Sequence, residues 1–534
     1  MSYYETSIAA GYKIVEDANL QDMTSILGCE LSSAKVELEK SLALATITKP
    51  EILITRRRAI MSLRATAEKR GHWNAQFKRL AEIEKDAIPF FDKESTDKDS
   101  LENDAIAQLS FQDDIFKPLN HIPWMVMMVA LFKVWAVPAM TLMTPILAWI
   151  LPYLLLKFVY ALPISQQEYT RIIQTMWSGN MNLPTFNDTV PNLLTPRSIG
   201  QFIIFGFSFA QSMIQPIQNA MHLYKTDRIV LGLGQKLLEV RKILNEFRAE
   251  ISDLGVPLTS VLDEFDDSDP RRAFILINEQ PERLSMALRD LARLEILWRF
   301  ATVDITLSPV EFKRDRLFLK DVVDISLKAG IPSTLTLAEQ PHAIITGPNG
   351  GGKSSFLRAC LQSVVLGHAY GVAPAAVAQM PRFLWIASGL QLRDTPGLYS
   401  MFETEVKFAA DCIRAAKTSG PGLVLFDELF HSTNPPDGAR SAELFLKQLW
   451  AVPNTFSIVS THVFPLVEAK PDTVQAICCP VEESPDGSIQ YSFEARPGVC
   501  RVSSVHTVWE KFGLRRGRQD TGKLSSTKRK TEDA

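Results

Sequence analysis

Three patterns of apolar and polar positions divide this chain, and each predicts a different kind of element. Val230, Leu233, Leu237, Val240, Leu244, Phe247 and Ile251 are spaced alternately by three and four residues, one face of a helix sustained over three heptads. Such a face packs on another helix, although Gly232 and Gly234 weaken its first turn. A further helix carries Leu284, Leu288, Leu291, Leu294 and Trp298. The second pattern is a set of short apolar runs, Ala343 to Thr346, Leu423 to Phe426 and Phe456 to Ser460, which read as buried strands. Earlier, from about Ser32 to Ala87, the chain is charged and helix-rich. Arg56-Arg57-Arg58 and Ala67-Glu68-Lys69-Arg70 are expected there on solvated faces.

The third pattern has no period. Residues 134–156 hold no Asp, Glu, Lys or Arg over 23 positions, and apolar character reaches back to Trp124 with only Lys133 interrupting. About 20 residues suffice to cross a bilayer. Pro138, Pro145 and Pro152 break soluble helices but are tolerated better in a span. A second charge-free stretch, Ser198 to Tyr224, is weaker because it carries four glutamines. Both stretches have an alternative reading as a buried helical hairpin within a large soluble domain. Between them lies Asn187-Asp188-Thr189, a glycosylation pattern usable only on a lumenal side.

Composition changes this picture little. With 534 residues, 46% hydrophobic and 22% charged, the chain is globular and long enough for several cores. A net charge of -3 excludes a global basic field that would draw in nucleic acid. The six cysteines form no C-x-x-C and no metal-type pairing with the eight histidines, so a reducing compartment and no structural zinc are expected. Met1 to Glu5 show no cleavable signal peptide pattern. Asp263 to Pro270 reads as an acidic solvated loop, and residues 515–534 as a disordered basic tail.

The candidate chemistry begins at Gly347-Pro348-Asn349-Gly350-Gly351-Gly352-Lys353-Ser354, a full match to G-x-x-x-x-G-K-[ST] between a predicted strand and a predicted helix from Ser355. Glycines there let backbone N–H groups face a phosphate chain, Lys353 reaches the β- and γ-phosphates of ATP, and Ser354 ligates Mg²⁺. The strand at Leu423 ends in Asp427-Glu428, where the Asp assists the metal and the Glu polarises the attacking water. The strand at Phe456 delivers Thr461-His462, which places His462 at the γ-phosphate.

These motifs resemble the ATPase domain of the MutS family of DNA mismatch-repair proteins, a branch of the ATP-binding-cassette ATPases. Thr346 to Ser354 is similar to the family's T-G-P-N-x-G-G-K-S, Gly371 to Ala375 to its G-x-x-V-P-A, and Asp427 to Gly438 to its D-E-x-x-x-x-T-x-x-x-D-G. Thr461 to Phe464 is similar to its T-H-x-F, and Arg393-Asp394 to its R-x-G-x-x-D. Ser400 to Glu405 is similar to S-x-F-x-x-E, an element that in the family reaches the nucleotide of the partner subunit. Pro497-Gly498, Ser503-Ser504 and Phe512 to Leu514 resemble its helical extension, and the helices near Ile52 to Leu63 and Leu284 to Val303 its core-and-lever region. Two departures stand out. The family's Gly-Arg-Gly after D-E-x is Phe430-His431-Ser432 here, and no F-x-E mismatch wedge occurs outside Phe426-Asp427-Glu428.

The resemblance implies an α/β P-loop NTPase domain of the ABC/MutS type at 306–514, after a helical core segment at 1–121 and lever helices at 225–305; the apolar stretches, read as a transmembrane insert at 122–224, stand where the family has its DNA clamp. It implies a dimer, homomeric or MutS-like heteromeric, that hydrolyses ATP with Mg²⁺ to drive a DNA transaction of the mismatch-repair kind. Lys353, Glu428 and His462 are the expected catalytic residues. Gly347 to Ser355 and Ser400 are expected to bind nucleotide, and Ser354 and Asp427 the metal. The alternative is a membrane-tethered mechanical ATPase that reads no mismatch. If both stretches span, Lys117, Lys133, Lys225 and Arg228 lie on the cytosolic side with the ATPase domain, against Lys157, Arg171 and Arg197 around the loop. Otherwise the protein is soluble and intracellular. A transporter is disfavoured, since Ser388 to Gln391 only loosely resembles L-S-G-G-Q and starts 39 residues before Asp427.

Overall fold

The computed structural model describes residues 11–91, 109–111, 113, 115–161, 163–177, 196–265, 269–394, 398–483, 489–503 and 509. The sequon at Asn187, Ser504, Phe512 to Leu514 and the tail at 515–534 lie outside these residues. The first half of the chain is helical: α1 Met23–Leu27, α2 Ser32–Ala43, α3 Pro50–Ala65, α4 Trp73–Phe91, α5 Pro123–Leu131, α6 Val137–Leu154, α7 Gln166–Trp177, α8 Pro196–Glu250, α9 Pro270–Glu279 and α10 Glu282–Thr302.

The heptad face from Val230 to Ile251 is buried throughout, as is the Leu284 to Trp298 face of α10. Trp73 and Phe77 of α4 meet Phe247 of α8 at ring separations of 4.8 and 5.0 Å, and Trp73 also meets Trp298 at 5.1 Å. Two buried carboxylates cap loose backbone ends inside this bundle. Glu84 accepts from the N–H groups of Ser32 and Ser33 at the start of α2, and Glu295 from those of Glu30 and Leu31.

Three expectations change here. The amphipathic pattern from Val230 is not a separate helix: α8 runs unbroken for 55 residues, and the position 224/225 falls inside it. Gly234 weakens nothing, because a Cβ there would sit 2.0 Å from the Pro270 carbonyl oxygen and the close crossing of α8 and α9 needs its absence. The charge run at Arg56 is not a solvated face. Arg56 donates to Ala369 O at 2.6 Å and Arg57 to Val310 O at 2.8 Å, while Arg58 alone is exposed. The acidic stretch is solvated at Asp263 and Glu264, which are exposed and pair with Arg248 and Arg283, while Asp269 is buried and caps α9.

The apolar stretch near Pro138 forms a continuous helical rod, α5 and α6 joined by a wide π turn at Phe132–Ala136 and followed by another at Leu155–Val159. The first wide turn lies where the ring of Pro138 would crowd the Val134 carbonyl. Among the described residues, one segment is long and apolar enough to cross a membrane: Trp124–Thr144, mean hydropathy 1.8, only 22% buried. It begins ten residues earlier than the expected 134–156. The second stretch, Ser198 to Tyr224, forms the first half of α8, and Tyr224 meets Trp135 edge-on at 6.0 Å.

The second half is mixed α/β: β1 Ser308–Phe312, β2 Leu317–Val322, β3 Ser333–Leu337, β4 His342–Thr346, α11 Lys353–Tyr370, β5 Val372–Ala373, β6 Val377–Met380, β7 Trp385–Gly389, α12 Met401–Thr418, β8 Gly422–Phe426, α13 Pro435–Trp450, β9 Thr455–Ser460, α14 Phe464–Glu468, β10 Val474–Cys478, β11 Val481–Glu483, β12 Ile489–Tyr491 and β13 Arg496–Pro497. A five-stranded sheet has the order β3-β2-β6-β1-β5 and a six-stranded sheet the order β13-β10-β4-β9-β8-β7. In the larger sheet β10, β4, β9, β8 and β7 are parallel and β13 runs against them. The residues of β4, β8 and β9 are buried on both faces, which is why they read as unbroken apolar runs. Leu423, Leu425 and Ile458 face the core shared with α11, whereas Val424, Phe426 and Val459 pack with Ala409 of α12 and Phe445 of α13.

Candidate nucleotide site

The parallel register aligns the C-terminal ends of β4, β8 and β9, pairing Ile345 with Ser460 and Phe426 with Val459. Every expected residue except Ser400 comes from the loops at that edge, where parallel sheets place their ligands. Gly347 to Gly352 link the end of β4 to α11. Gly352, the N-cap, has φ +101, and a Cβ on Gly347, φ +150, would lie 2.9 Å from Cys479 O. Neither position accepts a side chain without strain or collision.

Lys353 is buried and folds back over the loop, donating to Gly347 O at 3.0 Å and Pro348 O at 3.1 Å, with Asn349 Oδ1 at 3.4 Å. Burial pulls its pKa below the ordinary lysine value, and the nearby Glu428 and Asp427 oppose that. Ser354 Oγ donates to Asp427 Oδ2 at 2.5 Å. The next residue, Glu428, holds a left-handed backbone, φ +52, and its Oε1 lies 3.6 Å from His462 Nε2. Thus Lys353, Ser354, Asp427, Glu428 and His462 converge on one edge.

A cleft of about 550 Å³ opens beside the loop, lined by Asn349, Gly350, Gly352 to Ser355 and Glu428 on one side. Its apolar part, Val322, Leu327, Ile331, Phe356 and Phe493, carried no signal in the sequence reading. Phe493 follows the β11–β12 hairpin and stacks on Tyr491 at 5.6 Å, in a segment with no motif of its own.

Ser400 is not among the lining residues. It caps α12 through a reciprocal pair with Glu403 and is exposed. Five residues after Ser400, Glu405 is buried and takes a hydrogen bond from Ser432, while His431 Nδ1 lies 3.3 Å from its other oxygen. His431 Nδ1 also sits 2.9 Å from the Glu428 carbonyl oxygen. The Phe430-His431-Ser432 substitution therefore ties α12 to the loop that carries Glu428. Gly438 is demanded by that loop, since a Cβ there would approach Phe430 O to 2.5 Å. Arg393 pairs with Glu16.

Residues 343–515 match the profile of MutS domain V. Over this region the chain is similar to the MutS family. It is 27% identical over 245 residues to the DNA mismatch repair protein MutS of Natronomonas pharaonis, covering 44% of this chain and 28% of that protein. It is 31% identical over 196 residues to the mitochondrial DNA mismatch repair protein MSH1 of Arabidopsis thaliana, covering 36% and 17%. With MutS of Leuconostoc mesenteroides the figures are 27% over 253 residues, 44% and 29%. The chain thus spans less than a third of the length of these MutS relatives.

Proposed function

We propose that this chain is a P-loop ATPase of the ABC/MutS type that binds ATP with Mg²⁺ in the cleft beside Gly347 to Ser355 and hydrolyses it. The observation that carries this reading is the meeting of Ser354, Asp427, Glu428 and His462 at the mouth of a loop whose Gly352 and Gly347 admit no side chain. The donor set fits the cofactor. Ser354 and Asp427 offer only oxygen, which suits Mg²⁺, and the loop and the start of α11 offer backbone N–H groups to phosphate. Mg²⁺ held there would neutralise phosphate charge. Lys353 contributes positive charge, Glu428 orients the attacking water, and His462 holds Glu428 while facing the terminal phosphate. Phe493 and Ile331 offer the base an apolar face across the cleft.

Ser400 serves the nucleotide of a second subunit, so the working unit is a dimer formed through the ATPase domain, homomeric or with a MutS-like partner. The relatives are DNA mismatch repair proteins, and the work done by hydrolysis is accordingly a DNA transaction of that kind. Purified chain is assayed for nucleotide binding and for phosphate release with and without duplex DNA. Lys353→Ala is expected to lose nucleotide binding. Glu428→Gln is expected to keep binding and lose about 10²-fold or more in turnover. Equal affinity and turnover in all three proteins would remove the assignment.

A second reading is supported by one observation: Trp124, Met128, Phe132, Trp135, Met140, Leu147 and Leu151 are all exposed along the α5–α6 rod. Scattered exposed apolar residues are ordinary, but a continuous rod of them marks an interface. In this reading the ATPase is tethered to a membrane through 122–224, its nucleotide site is cytosolic, and it reads no mismatch.

A further inference from the structure

Ser460, the last residue of β9, is buried and belongs to none of the motifs, yet its hydroxyl touches both acids of the site. Its Oγ accepts from the Glu428 N–H at 2.8 Å and donates to Asp427 Oδ1 at 2.5 Å. Asp427 Oδ2 takes the Ser354 hydroxyl, also at 2.5 Å. A serine hydroxyl has a single proton. Because the Glu428 N–H points at the Ser460 oxygen, that proton is committed to Asp427 Oδ1.

The two sides of the carboxylate therefore differ. Ser354 lines the cleft and is exposed, so Oδ2 is the oxygen on the nucleotide side. Ser460 lies within the sheet, so Oδ1 is engaged from behind. The same hydroxyl holds the peptide that gives Glu428 its left-handed backbone, a conformation that a non-glycine residue rarely adopts.

We propose that Ser460 is a positioning residue that makes Asp427 a one-oxygen partner for the divalent cation and fixes Glu428 in register with it. The proposal rests on the ATPase reading above. It predicts that loss of the hydroxyl loosens the cation without weakening nucleotide held in its absence.

The test uses the full chain, Ser460→Ala and Ser460→Thr. Mn²⁺ uptake with β,γ-imido ATP is followed by electron paramagnetic resonance, and binding of a fluorescent ATP analogue is measured in EDTA. Ser460→Ala should need about tenfold more Mn²⁺ for half occupancy, the lower end of the loss seen when a group that orients a metal ligand is removed. Its affinity for nucleotide in EDTA should be unchanged, and Ser460→Thr should restore the wild-type Mn²⁺ dependence. An unchanged Mn²⁺ curve in Ser460→Ala overturns the proposal. So does a parallel fall in EDTA affinity, which marks a merely structural role. If the wild-type chain takes up neither nucleotide nor Mn²⁺, the ATPase reading itself falls, and Ser460 with it.

Discussion

His368 is fully buried in α11, where its Nε2 accepts from the Phe383 N–H at 2.9 Å and its Nδ1 faces Val364 O at 2.8 Å. Only a neutral ring satisfies both bonds, and burial pushes its pKa down to about 4, as it does for His342 on β4. Between that value and the unfolded value near 6.5, the unfolded chain holds more protons than the folded one. Stability is therefore complete above pH 6.5 and lost as pH falls toward 4, by up to about 1.4 kcal/mol per pH unit for each ring. Thermal midpoints at pH 7.5 and 5 should differ clearly, and His368→Leu should flatten the difference while lowering both. A pH-independent midpoint in the wild type would contradict this. At the same scale, the glycine-rich loop and the Asp427-Glu428 pair were legible because phosphate and metal chemistry dictates residue identity at fixed spacing. Phe493 was not, because an apolar wall can be built from any segment that folds across the cleft. Arg56 and Arg57 misled because a run of charges looks the same whether its partners are water or carbonyl oxygens.

At the scale of elements, the two glycines of α8 separate what sequence shows from what packing decides. Gly232 faces open space, and Gly234 faces Pro270. Gly232→Ala should raise the thermal midpoint, because a helical glycine costs about 0.5–1 kcal/mol against alanine. Gly234→Val should lower it by the equivalent of about 1–3 kcal/mol, the usual penalty for forcing volume into a packed crossing. Equal effects at the two positions would mean that α8 and α9 are not in close contact. The strands β4, β8 and β9 were readable as apolar runs because both of their faces are covered. The extent of α8 was not, since its sequence changes character where its surroundings change, while its backbone continues unbroken.

For the whole molecule, the bundle and the sheets share one hydrophobic core that runs from Val15 to Ala495. The α5–α6 rod joins it through Val126, Ala130 and Val134 and turns its other apolar side chains outward. Its segment Trp124–Thr144 is about 32 Å long at 1.5 Å per residue, close to the roughly 30 Å of a bilayer interior. If that surface meets lipid, wild-type chain will resist carbonate extraction from membranes. Met128→Lys with Met140→Lys, both at exposed positions, will then release it. Wild-type chain recovered wholly in the extract would return the rod to the role of a protein-facing helix.

Arg56 pins the far end of α11 to α3, so the helix that begins at Lys353 is not free to slide. That helix is about 27 Å long, whereas α8 reaches about 80 Å. The pair has a gear ratio of roughly three. A tilt of about 2°, which moves the loop end of α11 by about 1 Å, sweeps the tip of α8 through about 3 Å if the bundle turns with it. Under that condition a change no larger than a bond length at a phosphate becomes a displacement the size of a hydrogen bond at the opposite extremity.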